Sequence, residues 1–141
     1  MSKRSYKLFA KDILEAIEKI EMFIDGMDFD QFQADDKTSS AVLRKLEIIG
    51  EAVKHLPDQV KKNYKGVPWK EMAGMRDKLI HWYFGVDYQL VWNVIAEEIP
   101  QLKAQLKDVY DKISPDDTGH YEQSASAQEE AMNGGSDSAP E

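Results

Sequence analysis

Cysteine is absent from the 141 residues, which excludes disulfides, thiolate-held metals and a cysteine nucleophile. That absence suits a reducing compartment, and a cytoplasmic location is the expectation. Long apolar runs are lacking as well. Lys3, Arg4 and Lys7 stand near the start, but Lys11, Asp12, Glu15, Glu18, Lys19 and Glu21 break up the apolar positions that follow, where a secretory signal needs an unbroken stretch. No other segment approaches the roughly 20 apolar residues that span a bilayer, so a soluble chain without a membrane partner is expected.

Positive charge is in short supply overall, with a formal net charge of -8, and its distribution decides what this means. Residues 114–141 contain seven acids (Asp116, Asp117, Glu122, Glu129, Glu130, Asp137 and Glu141) and no Lys or Arg. Setting those seven aside from the 26 acids leaves 19 against 18 basic residues, so the body is close to neutral. Between residues 36 and 81 the balance reverses, with Lys37, Arg44, Lys45, Lys54, Lys61, Lys62, Lys65, Lys70, Arg76 and Lys78 facing only Asp36, Glu47, Glu51, Asp58, Glu71 and Asp77. A local basic surface is one reading of this stretch, but a run of lysines is more often the solvated face of helices, and charge alone leaves the question open.

The apolar residues that are present repeat at helical spacing. Phe9, Ile13, Ile17, Ile20 and Ile24 define one amphipathic stripe that should end near Gly26. After a short segment from Asp28 to Asp36, a second stripe comprises Val42, Leu46, Ile49, Val53, Leu56 and Val60. Pro57 stops that helix near Leu56 and opens a further turn. Gly66-Val67-Pro68-Trp69 reads as a turn and a helix start, and a third helix is expected to carry the residues up to Gly85 and Asp87. From Tyr88, the positions Val91, Ile95, Ile99, Leu102, Leu106, Val109 and Ile113 predict a long last helix bent at Pro100. No segment alternates with a period of two. The expected fold is all-α, an antiparallel four-helix bundle with one or more short extra helices. It comprises residues 1–115, followed by an acidic tail at 116–141 whose Ser, Ala, Gly and acids cannot offset ordering entropy. His55 and His120 have no second ligand at metal-binding spacing, and a solvated surface role is expected for both.

The polar chemistry is concentrated in Arg76-Asp77-Lys78-Leu79-Ile80-His81-Trp82-Tyr83. On a straight helix, at 100° per residue, His81 would point about 140° away from Arg76, whereas Tyr83 would return to within about 20° of it. Arg76 and His81 would then converge only through a local distortion, a long reach by the arginine or a second chain. Read from the residues alone, Arg, His and Tyr on an amphipathic helix are more often packed surface than catalytic.

Arg76, four residues, His81, one residue and Tyr83 form an R-x4-H-x-Y pattern. Glu47-Ile48-Ile49-Gly50-Glu51-Ala52, Val67-Pro68-Trp69, Ala73-Gly74-Met75-Arg76-Asp77 and Tyr83-Phe84-Gly85-Val86-Asp87 surround it. In motif, blocks and order this resembles the HepT-like HEPN family, the toxin halves of HepT/MntA toxin–antitoxin pairs. The resemblance runs from about Tyr6 to Ile113 and leaves the acidic tail without a counterpart. It implies a ribonuclease that cleaves tRNA or mRNA without metal or other cofactor, the RNA 2′-hydroxyl attacking the adjacent phosphorus. Arg76 and His81 are then the catalytic residues, with Asp77 supporting Arg76 or acting as a plain helix cap. A histidine exchanges protons near neutral pH, and an arginine offers a planar charged fork to phosphate oxygens. One plausible catalytic histidine per chain implies a homodimer in which both protomers line one cleft. Tyr83 is the implied modification site, adenylylated by an MntA-like nucleotidyltransferase antitoxin that uses ATP and magnesium, and this AMPylation would silence the toxin.

A competing reading is a non-catalytic helical module that binds RNA, nucleotide or a nucleotidyltransferase partner. Trp69, Trp82, Tyr64 and Phe84 serve either reading, because aromatics stack on bases and also fill cores and interfaces. The acidic tail is a candidate RNA mimic that shields the basic stretch.

Overall fold

A computed structural model describes residues 4–81 and 85–117, with the backbone alone at residues 76 and 79–81. Helix α1 (Tyr6–Phe23) starts where the Ser5 side chain accepts a hydrogen bond from the Lys7 N–H at 3.2 Å. It buries Tyr6, Ala10, Ile13, Ala16, Ile17 and Ile20, the inner face of the expected stripe. The connector from Asp28 turns out to hold a helix of its own, α2 (Phe29–Ala34), because Asp28 and Gln31 cap each other's backbone N–H reciprocally. Asp35 ends α2 and caps α3 (Asp36–Lys54), its carboxylate accepting from the N–H and hydroxyl of Thr38 at 2.9 Å each.

Helix α3 buries Val42, Leu46, Ile49 and Val53 and packs chiefly against α1. Its C-cap, His55, is exposed and stacks on Phe9 at 4.7 Å between ring centroids. Pro57 begins the short α4 (Asp58–Asn63), as its missing N–H allows at a helix start. After the turn at residues 64–68, α5 (Trp69–Ala73) begins with Pro68 at its N-cap.

The third helix departs from expectation. It stops at Ala73, Gly74 takes a non-helical conformation, and α6 (Met75–Leu79) restarts the spiral. The chain then becomes extended, β1 (Ile80–His81) pairing antiparallel with β2 (Gly85–Val86) in the register Ile80 to Val86 and His81 to Gly85. Gly85 has φ of +79°, a region in which an L side chain is strained. The fold is still all-α, with this two-rung ladder as the β structure among the described residues.

Asp87 caps α7 (Tyr88–Asn93) by accepting from the Leu90 N–H at 3.1 Å. The expected long last helix is divided: a π-helical turn (Val94–Glu98) separates α7 from α8 (Ile99–Lys112). The interruption precedes Pro100 instead of lying at it. Proline has no N–H to donate and its ring crowds the carbonyl four residues back. The widened turn, closed by the Ile99 N–H on the Val94 carbonyl, absorbs both problems one residue earlier.

The core formed by α1, α3 and α8 is continuous, and α8 contributes Ile99, Leu102, Leu106 and Val109. Each fully buried aliphatic side chain stabilises the fold by about 1.5–3 kcal/mol relative to exposure. Phe32 of α2 packs on Tyr88 and Trp92 of α7, with centroids at 6.4 and 5.3 Å. Where α8 ends, the Lys7 ammonium sits over the Tyr110 ring at 4.3 Å, and the Tyr6 N–H donates to the Asp117 carbonyl at 2.9 Å. Of the acidic tail, residues 118–141, including His120, lie outside the described residues. Among the described residues no helix is long and apolar enough to cross a membrane.

Candidate active site at the helix-to-ladder junction

The segment that carries the candidate residues consists of elements too short to stand alone, since isolated helices below about 12–15 residues are marginal in water. Their placement is imposed by neighbours. Trp69 is 9% exposed, and its indole N–H donates to the carbonyls of Lys61 and Tyr64 at 3.2 and 3.1 Å. That anchors the start of α5 to the end of α4 and assigns Trp69 to the core, not to base stacking. Met72 and Met75 are buried at 1% and 6% exposure, on either side of the break at Gly74.

Gly50 sets the distance between α3 and this break. A Cβ added there would lie 3.0 Å from the Met72 carbonyl oxygen and 3.4 Å from that of Ala73. A side chain at this position would make a contact tighter than most Cβ atoms make, so glycine suits the close approach of the two backbones. Gly50 was legible as part of a sequence block but its task was not. A glycine in mid-helix costs about 1 kcal/mol relative to alanine, and that local penalty was the available signal of a tertiary reason. The Gly74 N–H bonds to the Lys70 carbonyl at 3.1 Å, and its own carbonyl accepts from the Lys78 N–H at 3.2 Å, so one residue closes α5 and opens α6.

Arg76 is the second residue of α6, followed by the exposed Asp77, and His81 ends β1 opposite Gly85. The 100° projection from Arg76 to His81 therefore does not apply, because the helix ends at Leu79. A change from helix to strand lies between the two residues, and a local distortion of this kind is one of the three routes by which they could converge. Tyr83, Trp82 and Phe84 lie outside the described residues.

On α3, Arg44 and Lys54 are engaged by Glu47 and Glu51 at 3.8 and 3.4 Å. Beyond it, Lys62, Lys65, Lys70 and Lys78 are exposed and take part in no ion pair among the described residues. Lys61 is the exception, half-buried, with its pKa lowered by desolvation and partly restored by Asp58. Cations without an ion pair among the described residues thus occur on α3, at Lys37 and Lys45, as well as along α4, α5 and α6, the stretch leading to Arg76. Among the described residues no group of three or more His, Asp or Glu is gathered where it could hold a metal ion.

Comparison with known proteins gives consistent results. The family model described as ribonuclease HepT-like matches residues 13–109. A protein of Thermococcus cleftensis named "Probable ribonuclease HepT" is 51% identical over 105 residues, 74% of this chain and 96% of the relative. A "Putative RNase" of Methanocaldococcus jannaschii is 43% identical over 117 residues, 83% of this chain and 97% of the relative. Another "Putative RNase", from Caldanaerobacter subterraneus, is 46% identical over 104 residues, covering 74% and 93%. No solved structure matches significantly.

Proposed function

The chain belongs to the HepT-like ribonuclease family, and from that premise we propose that it is a metal-independent endoribonuclease toxin whose catalytic residues are Arg76 and His81. The observation that supports this reading is the position of the Arg76 and His81 backbones on consecutive short elements, α6 and β1, which follow directly on the end of α5 that approaches Gly50 of α3. A site whose parts are fixed by tertiary contacts meets the need of catalysis for preorganised groups.

In the reaction a His81 imidazole accepts the proton of the RNA 2′-hydroxyl as the 2′-oxygen bonds to phosphorus. The bond from phosphorus to the 5′-oxygen breaks, and a second histidine returns a proton to that leaving oxygen. Arg76 neutralises the charge that develops on the phosphoryl oxygens, with Asp77 available to orient it. Two histidines come from a homodimer in which each protomer supplies one Arg76 and one His81. Lys62, Lys65, Lys70 and Lys78 draw the tRNA or mRNA backbone towards the cleft.

Tyr83 is the regulatory residue in this reading. A nucleotidyltransferase antitoxin adds AMP to its hydroxyl using ATP and magnesium. The new phosphate pairs with Arg76 and occupies the space of an RNA phosphate.

RNA cleavage in the presence of EDTA tests the chemistry. Wild type is expected to cut and both Arg76→Ala and His81→Ala to fail. Binding without cleavage in all three proteins would replace the enzyme with an RNA-binding module. Intact mass after co-expression with the nucleotidyltransferase tests the switch, with AMP increments expected on wild type and none on Tyr83→Phe.

A further inference from the structure

A cleft of about 230 Å³ opens between the α5–α6 break, the π turn and the first turns of α8. Its floor is apolar and buried, with Met72, Met75 and Leu102 exposed by no more than 6%. Its rim is acidic. Glu71, Glu97 and Glu98 are exposed there, and none is in an ion pair among the described residues. Lys78 is the single cation among the lining residues. The π turn produces this arrangement, since its extra residue brings the consecutive Glu97 and Glu98 to the same rim while Val94 stays buried beside them.

Size and charge together select the occupant. Pockets for drug-sized ligands run from about 300 to 1,000 Å³, so this volume suits one or two protein side chains better than a nucleotide or cofactor. Three carboxylates against one ammonium repel a phosphate backbone and attract lysine or arginine. Methionines on the floor adapt to the shape of an inserted apolar group. We propose that the cleft docks a basic amphipathic helical segment of a partner protein. An apolar anchor inserts between Met72, Met75 and Leu102, and flanking cations face Glu71, Glu97 and Glu98. Met75 and Lys78 flank Arg76 on the same five-residue helix, so an occupant presses directly on the element that positions the candidate catalytic arginine. The docking surface is independent of whether the chain cleaves RNA.

The test uses the full ¹⁵N-labelled chain and a set of synthetic helical peptides with Leu or Trp anchors flanked by arginine, each paired with a version in which glutamate replaces arginine. At low salt the basic peptides are expected to shift the amide signals of Met72, Met75, Glu98 and Leu102, and the acidic versions to leave them in place. Combining Glu71→Gln, Glu97→Gln and Glu98→Gln should weaken binding at least tenfold without moving the melting midpoint, because all three side chains are exposed. Equal binding of the acidic peptides, shifts confined to another face or unchanged affinity of the triple variant would overturn the proposal. A single-stranded RNA oligonucleotide shifting the same signals would assign the cleft to RNA instead. A triple variant with an altered oligomeric state would assign it to a second copy of the chain.

Discussion

From Tyr6 to Phe23 the chain forms one helix of 18 residues, whereas the described residues between Trp69 and Val86 form two five-residue helices and two two-residue strands. The first is specified by its own apolar stripe and could be described from its sequence alone. The second takes its shape from what it touches: Gly50 beneath the break, the carbonyls of Lys61 and Tyr64 around the Trp69 indole, and β2 beside β1. The long buried stripe lies in the uniform region and the candidate chemistry in the fragmented one. If that division is right, substitutions in the two regions should affect different measurements.

The largest separation is expected at the site itself. Arg76→Ala and His81→Ala should each lower RNA cleavage by at least about a hundredfold, the usual scale for losing a general acid–base or charge-stabilising group. Their denaturant midpoints should stay near wild type, and a parallel loss of both would break the comparison. Next comes the converse. Ile13→Ala, at a fully buried position of α1, should cost about 2–5 kcal/mol in urea unfolding, with cleavage per folded molecule unchanged. Gly50→Ala joins the two regions, because its new methyl group must push α3 away from the Met72 carbonyl. A loss of about 1–3 kcal/mol with a larger than proportional fall in cleavage is expected. Activity that simply tracks the folded fraction would show that the site does not depend on this contact.

Smaller effects follow at the ladder and at the caps. Gly85→Ala places a side chain at φ of +79° and should destabilise by about 1–2 kcal/mol. Protection of the Ile80 and Val86 amides from hydrogen exchange should fall before that of α1. Asp35 has its pKa lowered by the hydrogen bonds from Thr38, so its contribution exists above the ordinary aspartate range near pH 4 and is lost as pH falls through the lowered value. Asp35→Asn should therefore differ from wild type at neutral pH and converge with it in acid. A gap that persisted at pH 2 would assign the effect to something other than the ionised cap.

What could be read from the sequence follows the same division. The stripes of α1, α3 and α8 are long and periodic, and their burial agrees with the reading from Ile13 to Ile20, from Val42 to Val53 and from Ile99 to Val109. The break at Gly74, the ladder and the π turn are set by contacts between distant residues, which local propensity does not encode. The capping box at Asp28 and Gln31 turns what the sequence suggests is a connector into a helix, because two residues three apart satisfy each other's backbone N–H. At the candidate site, the R-x4-H-x-Y pattern and its flanking blocks pointed to the family that the comparisons show. The third helix, expected to continue to Gly85, ends at Leu79, before His81 is reached.

The hydrogen bond from the Tyr6 N–H to the Asp117 carbonyl ties the first helix to the turn that follows the last one. The bundle is therefore entered and left at neighbouring points, 2.9 Å apart at that bond, and to any chain that carried it residues 6–117 would span no more than a surface loop does. Such a unit can be transplanted whole into a loop of another protein, or its ends joined and new ones opened elsewhere. A permutant that linked these two points and began at the turn after α4 would keep every core helix intact.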